Sequence, residues 1–119
     1  MTDNNCIFCK IIAGEIPSQT VYQDDLVTAF RDIAPIAPTH ILIVPNQHIV
    51  SLGGMSEAHA GLLGRMVKVA NDLAVSEGVD ESGYRFITNV GPDSGQMVFH
   101  VHFHLVGGRP LGGMVRRAD

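Results

Sequence analysis

The chain has 119 residues, 45% of them apolar, and a formal net charge of −4 at pH 7. That length suits a single domain, spanning residues 1–119, with one real core. Mild acidity with scattered basic residues, only Arg116 and Arg117 being adjacent, argues against a nucleic-acid groove.

No apolar run approaches the ~18 residues that span a bilayer. The polar start Met-Thr-Asp-Asn-Asn does not read as a signal peptide. A soluble cytoplasmic protein, with neither nucleic acid nor membrane as a partner, is the expectation. Cys6 to Ala13 is a short apolar-rich stretch closed by Gly14 and Pro17. It reads as one or two helical turns with Phe8, Ile11 and Ile12 facing inward. Thr20 to Gln23 and Val27 to Arg31 read as strands joined by a tight turn at Asp24-Asp25. His40 to Val44 is a near-continuous apolar run ended by Pro45, the pattern of a buried strand.

Ser56 to Gly78 reads as the one long helix, with Ser56 as N-cap and Gly78 just past the C-cap. Leu62, Met66, Val69 and Leu73 form its core stripe. Gly61 and Gly64 cost helix propensity, which close packing on the sheet or on a partner helix would explain. His59 is placed on this helix, facing solvent. Tyr84 to Val90 and Val101 to Val106 complete the strands, with a turn-rich loop between them. The sum is an α+β domain: a five-stranded, mainly antiparallel sheet with one long and one short helix.

Residues 100 to 106 read His-Val-His-Phe-His-Leu-Val and hold three of the six histidines. On a strand, His100, His102 and His104 share one face and Val101, Phe103 and Leu105 the other. Neighbouring imidazoles are then about 6.8 Å apart along the chain. Such a row suits a metal site or phosphate chemistry, where imidazole serves as nucleophile, acid or donor. The plain alternative is a polar strand face hydrogen-bonded to its neighbours. The loop from Asn89 to Met97, rich in glycine, leads into this strand and suits a cradle of backbone N–H groups around an anion.

The alternating segment resembles the histidine triad (HIT) signature. The likeness extends through Ile7-Phe8-Cys9-Lys10-Ile11-Ile12, Glu15-Ile16-Pro17, Ala29-Phe30-Arg31-Asp32-Ile33, Ala37-Pro38-Thr39-His40, Gly83-Tyr84-Arg85 and Gly107-Gly108-Arg109. These stretches are similar to the Hint branch, the purine nucleoside phosphoramidases. The resemblance implies a homodimer whose two sheets join into one. It also implies hydrolysis of nucleotide P–N bonds with release of a nucleoside monophosphate such as AMP. By position it makes His102 the nucleophile, His104 the histidine beside the phosphate, and His40 a fourth histidine supporting the triad that His100 begins. Phe8, Phe30, Ile33 and Leu42 match the apolar walls around base and ribose. Asp32 matches the carboxylate on the ribose hydroxyls, and Asn89, Gly95 and Gln96 the phosphate-side loop. Met97 departs from the serine that many members carry near the leaving group, and a thioether cannot donate a hydrogen bond. The tail from Pro110 to Asp119 lacks the tryptophan of some relatives.

Cys6 and Cys9 are the only cysteines. They read as two reduced thiols, a redox pair, or half of a tetrahedral zinc site. His48 and His100 are the candidates to complete the last of these, and several bacterial HIT proteins carry zinc in such an arrangement. The zinc is then structural, and no organic cofactor is expected. Three other functions remain open from the residues: a dinucleoside polyphosphate hydrolase, a non-enzymatic nucleotide- or zinc-binding module, and a catalytic zinc hydrolase.

Overall fold

A computed structural model describes residues 5–115. Arg116 and Arg117 lie outside the described residues. Seven elements organise the chain: α1 (Ile7–Ile12), β1 (Thr20–Gln23), β2 (Val27–Arg31), β3 (Thr39–Pro45), α2 (Ala60–Ser76), β4 (Tyr84–Thr88) and β5 (Phe103–Gly107). Single 3-10 turns lie at Leu52–Gly54, Glu57–His59 and Pro92–Ser94. The strands form one sheet in the order β1-β2-β3-β5-β4. Every neighbouring pair is antiparallel. No helix among the described residues is long and apolar enough to cross a membrane.

The sheet is built around β3, all seven residues of which are buried. Residues directly opposite in an antiparallel pair point to the same side. Ile41 pairs with Leu105 and Ile43 with Phe103. These four face α2 and pack with Met66, Val69, Ala70 and Leu73 in the larger core. Leu42, Val44 and Phe30 point the other way and pack with Cys6, Phe8 and Cys9 of the α1 region. A continuous apolar run at β3 therefore reflects a strand covered on both faces.

The turns follow from local chemistry. Asp24 Oδ1 accepts from the Leu26 and Val27 N–H groups at 2.7 and 2.8 Å, closing the β1–β2 hairpin as an Asx turn. Burial alone would raise the Asp24 carboxyl, but hydrogen bonds from Tyr22, these two N–H groups and Arg65 hold it at about 2. At the end of α2, Gly78 adopts φ +75°. There the Gly78 N–H bonds Val75 O and the Val79 N–H bonds Ala74 O, at 3.0 and 2.9 Å, a Schellman closure. Arg31 clamps Glu77 with two hydrogen bonds of 2.9 and 2.8 Å, tying that helix end to β2.

Several sequence expectations shift. The long helix begins at Ala60, not Ser56. Ser56 instead caps the preceding 3-10 turn, its Oγ accepting from the Ala58 N–H at 3.3 Å. His59 ends that turn and is half-buried. It belongs to that turn and not to α2, its Nδ1 accepting from the Ser56 N–H at 3.0 Å. Packing among the described residues does not explain Gly61 and Gly64, since a Cβ at either would meet none of their atoms within 4 Å. Strand β4 stops at Thr88, and β5 starts at Phe103.

Candidate active site and adjoining metal cluster

The alternation of residues 100–105 survives although the ladder starts late. Val101, Phe103 and Leu105 enter the α2-side core. The Val101 N–H bonds Ile49 O at 2.6 Å, outside the β3–β5 register, and this delays the strand. The three imidazoles point to the other side, and the rings of His102 and His104 lie 5.1 Å apart, closer than along-strand spacing alone gives. They are not equivalent: His100 is fully buried and His102 is 7% exposed. His104 is half-buried.

Fixed backbone partners assign a proton to each ring, because a carbonyl accepts only and a backbone N–H donates only. His100 Nε2–H donates to Pro45 O at 2.8 Å, which leaves Nδ1 as a lone pair. His102 Nδ1–H donates to His100 O at 2.8 Å, so in the neutral ring the lone pair is on Nε2. His40 Nδ1 accepts from the Ile36 N–H at 3.2 Å, so its proton sits on Nε2. That proton points at His104 Nδ1, 2.9 Å away, and His104 therefore carries its own proton on Nε2. Burial, aided by neighbouring His102 and His40, lowers His104 to about 4. Burial likewise lowers His40, opposed by the nearby Asp32 carboxylate. Burial also lowers His100 to about 4, opposed by its bond to Pro45 O. All three are neutral near pH 7, as the proton assignments require.

The surroundings divide into an apolar wall and a polar rim. Phe8 meets His102 edge-on, with centroids 5.1 Å apart, and stands 5.4 Å from Phe30. Leu42, 7% exposed, pairs with His104 across β3 and β5. Asp32 Oδ2 is 3.5 Å from His40 Nε2. Asp32 Oδ1 accepts from the Ala34 N–H at 2.8 Å, which fixes the carboxylate at the rim. Ile33 is fully exposed.

The loop after β4 starts at half-buried Asn89. It turns through Gly91 and Gly95, whose φ values of +80° and +91° disfavour a side chain. Gln96 is buried and braces the loop: its Oε1 accepts from the Gly91 N–H at 2.9 Å. Its Nε2 donates to Val50 O and Val98 O at 2.9 and 3.1 Å. Both amide protons are thus engaged by carbonyls. Met97 is 87% exposed at the loop's end.

Beside the imidazole row lies a second constellation. Cys6, Cys9, His48 and His100 present ligand atoms that all lie within 4.8 Å of one another. Cys6 and Cys9 are not joined in a disulfide. His100 Nδ1 is 3.3 Å from Cys6 Sγ and 3.5 Å from Cys9 Sγ, and His48 Nδ1 is 3.4 Å from Cys9 Sγ. A tetrahedral zinc with ordinary bond lengths sets sulfur and nitrogen about 3.6 Å apart. The donors therefore already stand near the edges of such a tetrahedron, and the His100–Pro45 bond is the outer-shell contact a metal-ligating imidazole needs. A cavity of about 420 Å³ adjoins the cluster, lined by Cys6 and His48 with Ile7, Val50, Met97 and Phe99. Asp32, His40 and His104 also converge within 4.8 Å. There the facing nitrogens of the two imidazoles are taken up by their mutual bond.

The sequence pattern places these side chains but carries no sign of their backbone partners. Pro45 O, Ile36 N–H and Ile49 O lie 55, 4 and 52 positions from the residues they hold. Nothing in composition signals contacts made by main-chain atoms.

Comparison with known proteins agrees with this geometry. The HIT domain family profile matches residues 13–111. The chain is 59% identical over 109 residues to the purine nucleoside phosphoramidase of Escherichia coli K12, covering 92% of each chain. It is 48% identical over 113 residues to a 14 kDa zinc-binding protein of Zea mays, covering 93% of this chain and 88% of the relative. A HIT family hydrolase from Clostridium thermocellum superposes with a TM-score of 0.93 at 46% identity, over 97% of this chain and 100% of the other. With its alternating imidazoles on the face opposite α2 and this match over most of its length, the chain belongs to the HIT domain family.

Proposed function

We propose that the protein hydrolyses the P–N bond of purine nucleoside phosphoramidates through a nucleotidyl intermediate on His102. The observation that carries this reading is the hydrogen bond from His102 Nδ1–H to His100 O, which holds the Nε2 lone pair beside His104. In the first half-reaction, His102 Nε2 attacks the α-phosphorus and the P–N bond breaks. In the second, water attacks the same phosphorus, the N–P bond to His102 breaks and the nucleoside monophosphate leaves.

His104 acts as a hydrogen-bond donor in this scheme. Its Nε2–H meets a phosphoryl oxygen, where negative charge grows as His102 attacks. It is a poor acid, because it is neutral and His40 donates to its other nitrogen. Met97 has no proton to give, so the departing amine takes its proton from water. Phe8, Phe30, Leu42 and the exposed Ile33 form the wall against the purine. Asp32 accepts from the ribose hydroxyls, while Asn89 and Gly95 lie on the phosphate side. Gln96 supports them by holding the loop.

Cys6, Cys9, His48 and His100 bind zinc, which supplies a structural cross-link among three chain segments. Two chains form a homodimer. The features supporting this are α2, which exposes Gly61 and Gly64, and β4, which stands at the sheet edge. Light scattering tests the assembly. The protein works as a soluble cytoplasmic enzyme. The test of the reaction is turnover of an adenosine 5′-phosphoramidate. His102→Ala is expected to lose at least about 10³-fold in kcat while remaining folded. Unchanged turnover in that variant would remove His102 from the role.

A further inference from the structure

The nucleophile sits just before the ladder of β5, its own carbonyl accepting from Thr88 Oγ1–H of β4 at 2.7 Å. His102 precedes the first ladder residue of β5, Phe103, and so does His100, whose carbonyl receives the His102 Nδ1 proton. What holds His100 is its own side chain. Its Nε2–H is tied to Pro45 O, and its Nδ1 lies among the Cys6 and Cys9 sulfurs. The neighbouring Val101 N–H adds one bond to Ile49 O.

The same sulfurs come from α1, a helix of six residues. A helix so short has little stability of its own. Cys6 caps it, its Sγ accepting from the Cys9 N–H at 3.3 Å. Between the two cysteines α1 carries Phe8, which meets His102 edge-on at 5.1 Å and His100 at 6.0 Å. The cluster therefore touches the nucleophile along two routes. One runs through the His100 side chain to its carbonyl. The other runs through α1 to the ring that flanks His102.

We infer that the Cys6–Cys9–His48–His100 cluster, when it holds its metal, is a positioning device for the nucleophile: it sets the orientation of His102 through His100 O and Phe8. Its four donors come from α1, from the segment after β3 and from the segment before β5. A metal ion locks those three segments together. Without it, the His100–Pro45 and Val101–Ile49 hydrogen bonds still join the last two segments, and apolar packing still holds Phe8. The cross-link from α1 to both is lost, so the carbonyl and the aromatic wall are held less tightly. None of these four side chains needs to touch the phosphate. Their effect is on the fraction of time His102 Nε2 is aimed correctly, so it falls on kcat and not on nucleotide affinity. This rests on the nucleotidyl-transfer reading above and on occupancy of the cluster by zinc.

The experiment compares zinc-loaded wild type, His48→Ala and His48→Cys, the last of which restores a ligand. Zinc per chain, AMP affinity, single-turnover nucleotidylation and the His102 ring N–H resonance in histidine-labelled protein are measured together. Wild type and His48→Cys are expected to bind zinc and to react at similar rates. His48→Ala is expected to lose zinc and about tenfold or more in the nucleotidylation rate. Its AMP affinity stays within about threefold, and its His102 N–H signal loses protection from exchange. If His48→Ala unfolds, wild type is mixed rapidly with a chelator instead. Nucleotidylation should then fall in step with zinc release and before circular dichroism is lost.

Zinc-free, folded protein that reacts within twofold of wild type and keeps its His102 signal would overturn the proposal. Nucleotidylation that persists after zinc release until unfolding does the same. A wild type that takes up no zinc overturns it through the metal assignment. Turnover that survives His102→Ala overturns it through the nucleophile, so the two underlying readings fail in different controls.

Discussion

The two faces of the central sheet use the same strands for opposite ends. On the α2 side, Val27, Ile41, Ile43, Phe103 and Leu105 meet the helix stripe with no polar side chain among them. On the α1 side, the alternate positions of the same strands bring His40, His102 and His104 to the surface of a smaller cluster that includes two thiols. The first face contributes stability through area removed from water. The second places polar groups at depth, each with a partner. Among the described residues no buried side-chain nitrogen or oxygen lacks a hydrogen bond. A period of two thus lets one strand serve both core and chemistry, with neighbouring residues in different roles.

If the two faces are that separate, each can be broken alone. Ile41→Ala opens a cavity in the α2-side core, where the side chain is fully buried. It should cost about 3–4 kcal/mol in urea unfolding. Its folded fraction should turn over phosphoramidate at close to the wild-type kcat. A large loss of kcat in folded protein would show that the faces are coupled.

Acid titration addresses the α1 face. The folded chain holds His104 at about 4, below the ordinary histidine value. The unfolded chain therefore binds more protons between about 4 and 6.5, and stability falls as pH drops through that window. The loss reaches about 2 kcal/mol after allowance for the partial exposure of His104. His40 shifts in the same direction and adds to the slope. In His104→Gln that slope should shrink, which denaturation midpoints at pH 7 and pH 4.5 would report.

Gln96→Ala has the smallest effect of the three. It removes the brace across Gly91, Val50 and Val98, in a loop that water enters once the amide is gone. About 1 kcal/mol of stability should be lost. If the loop holds the phosphate as proposed, KM for the phosphoramidate should rise more than kcat falls.

Much of this contrast between the faces is legible in the amino-acid sequence. Alternation at residues 100–106 announces a strand with an imidazole face, and the unbroken run at His40 to Val44 announces a strand buried on both sides. Asp24 marks the hairpin turn and Gly78 the helix end, because both act through their own neighbouring backbone. The pattern misleads where other groups decide. Ser56 looks like the N-cap of the long helix, but its hydroxyl serves a 3-10 turn first. Val101 has the pattern of a strand residue, yet its N–H is claimed by Ile49 O. Gln96 carries no sequence sign of its bracing role, because the carbonyls its amide engages belong to Val50 and Val98. Gly61 and Gly64 suggest close packing that the described residues do not supply.

On the proposed mechanism, the Nδ1–H bond to His100 O presents the Nε2 lone pair of His102 to the phosphate. Reaction with adenosine 5′-phosphoramidate, quenched in alkali during turnover and mapped by peptide mass spectrometry, tests it most directly. An adenylyl group on His102 is expected. Adenylation of His104 or His100 in its place, or turnover with no covalent adduct at any histidine under conditions that preserve phosphohistidine, would contradict it.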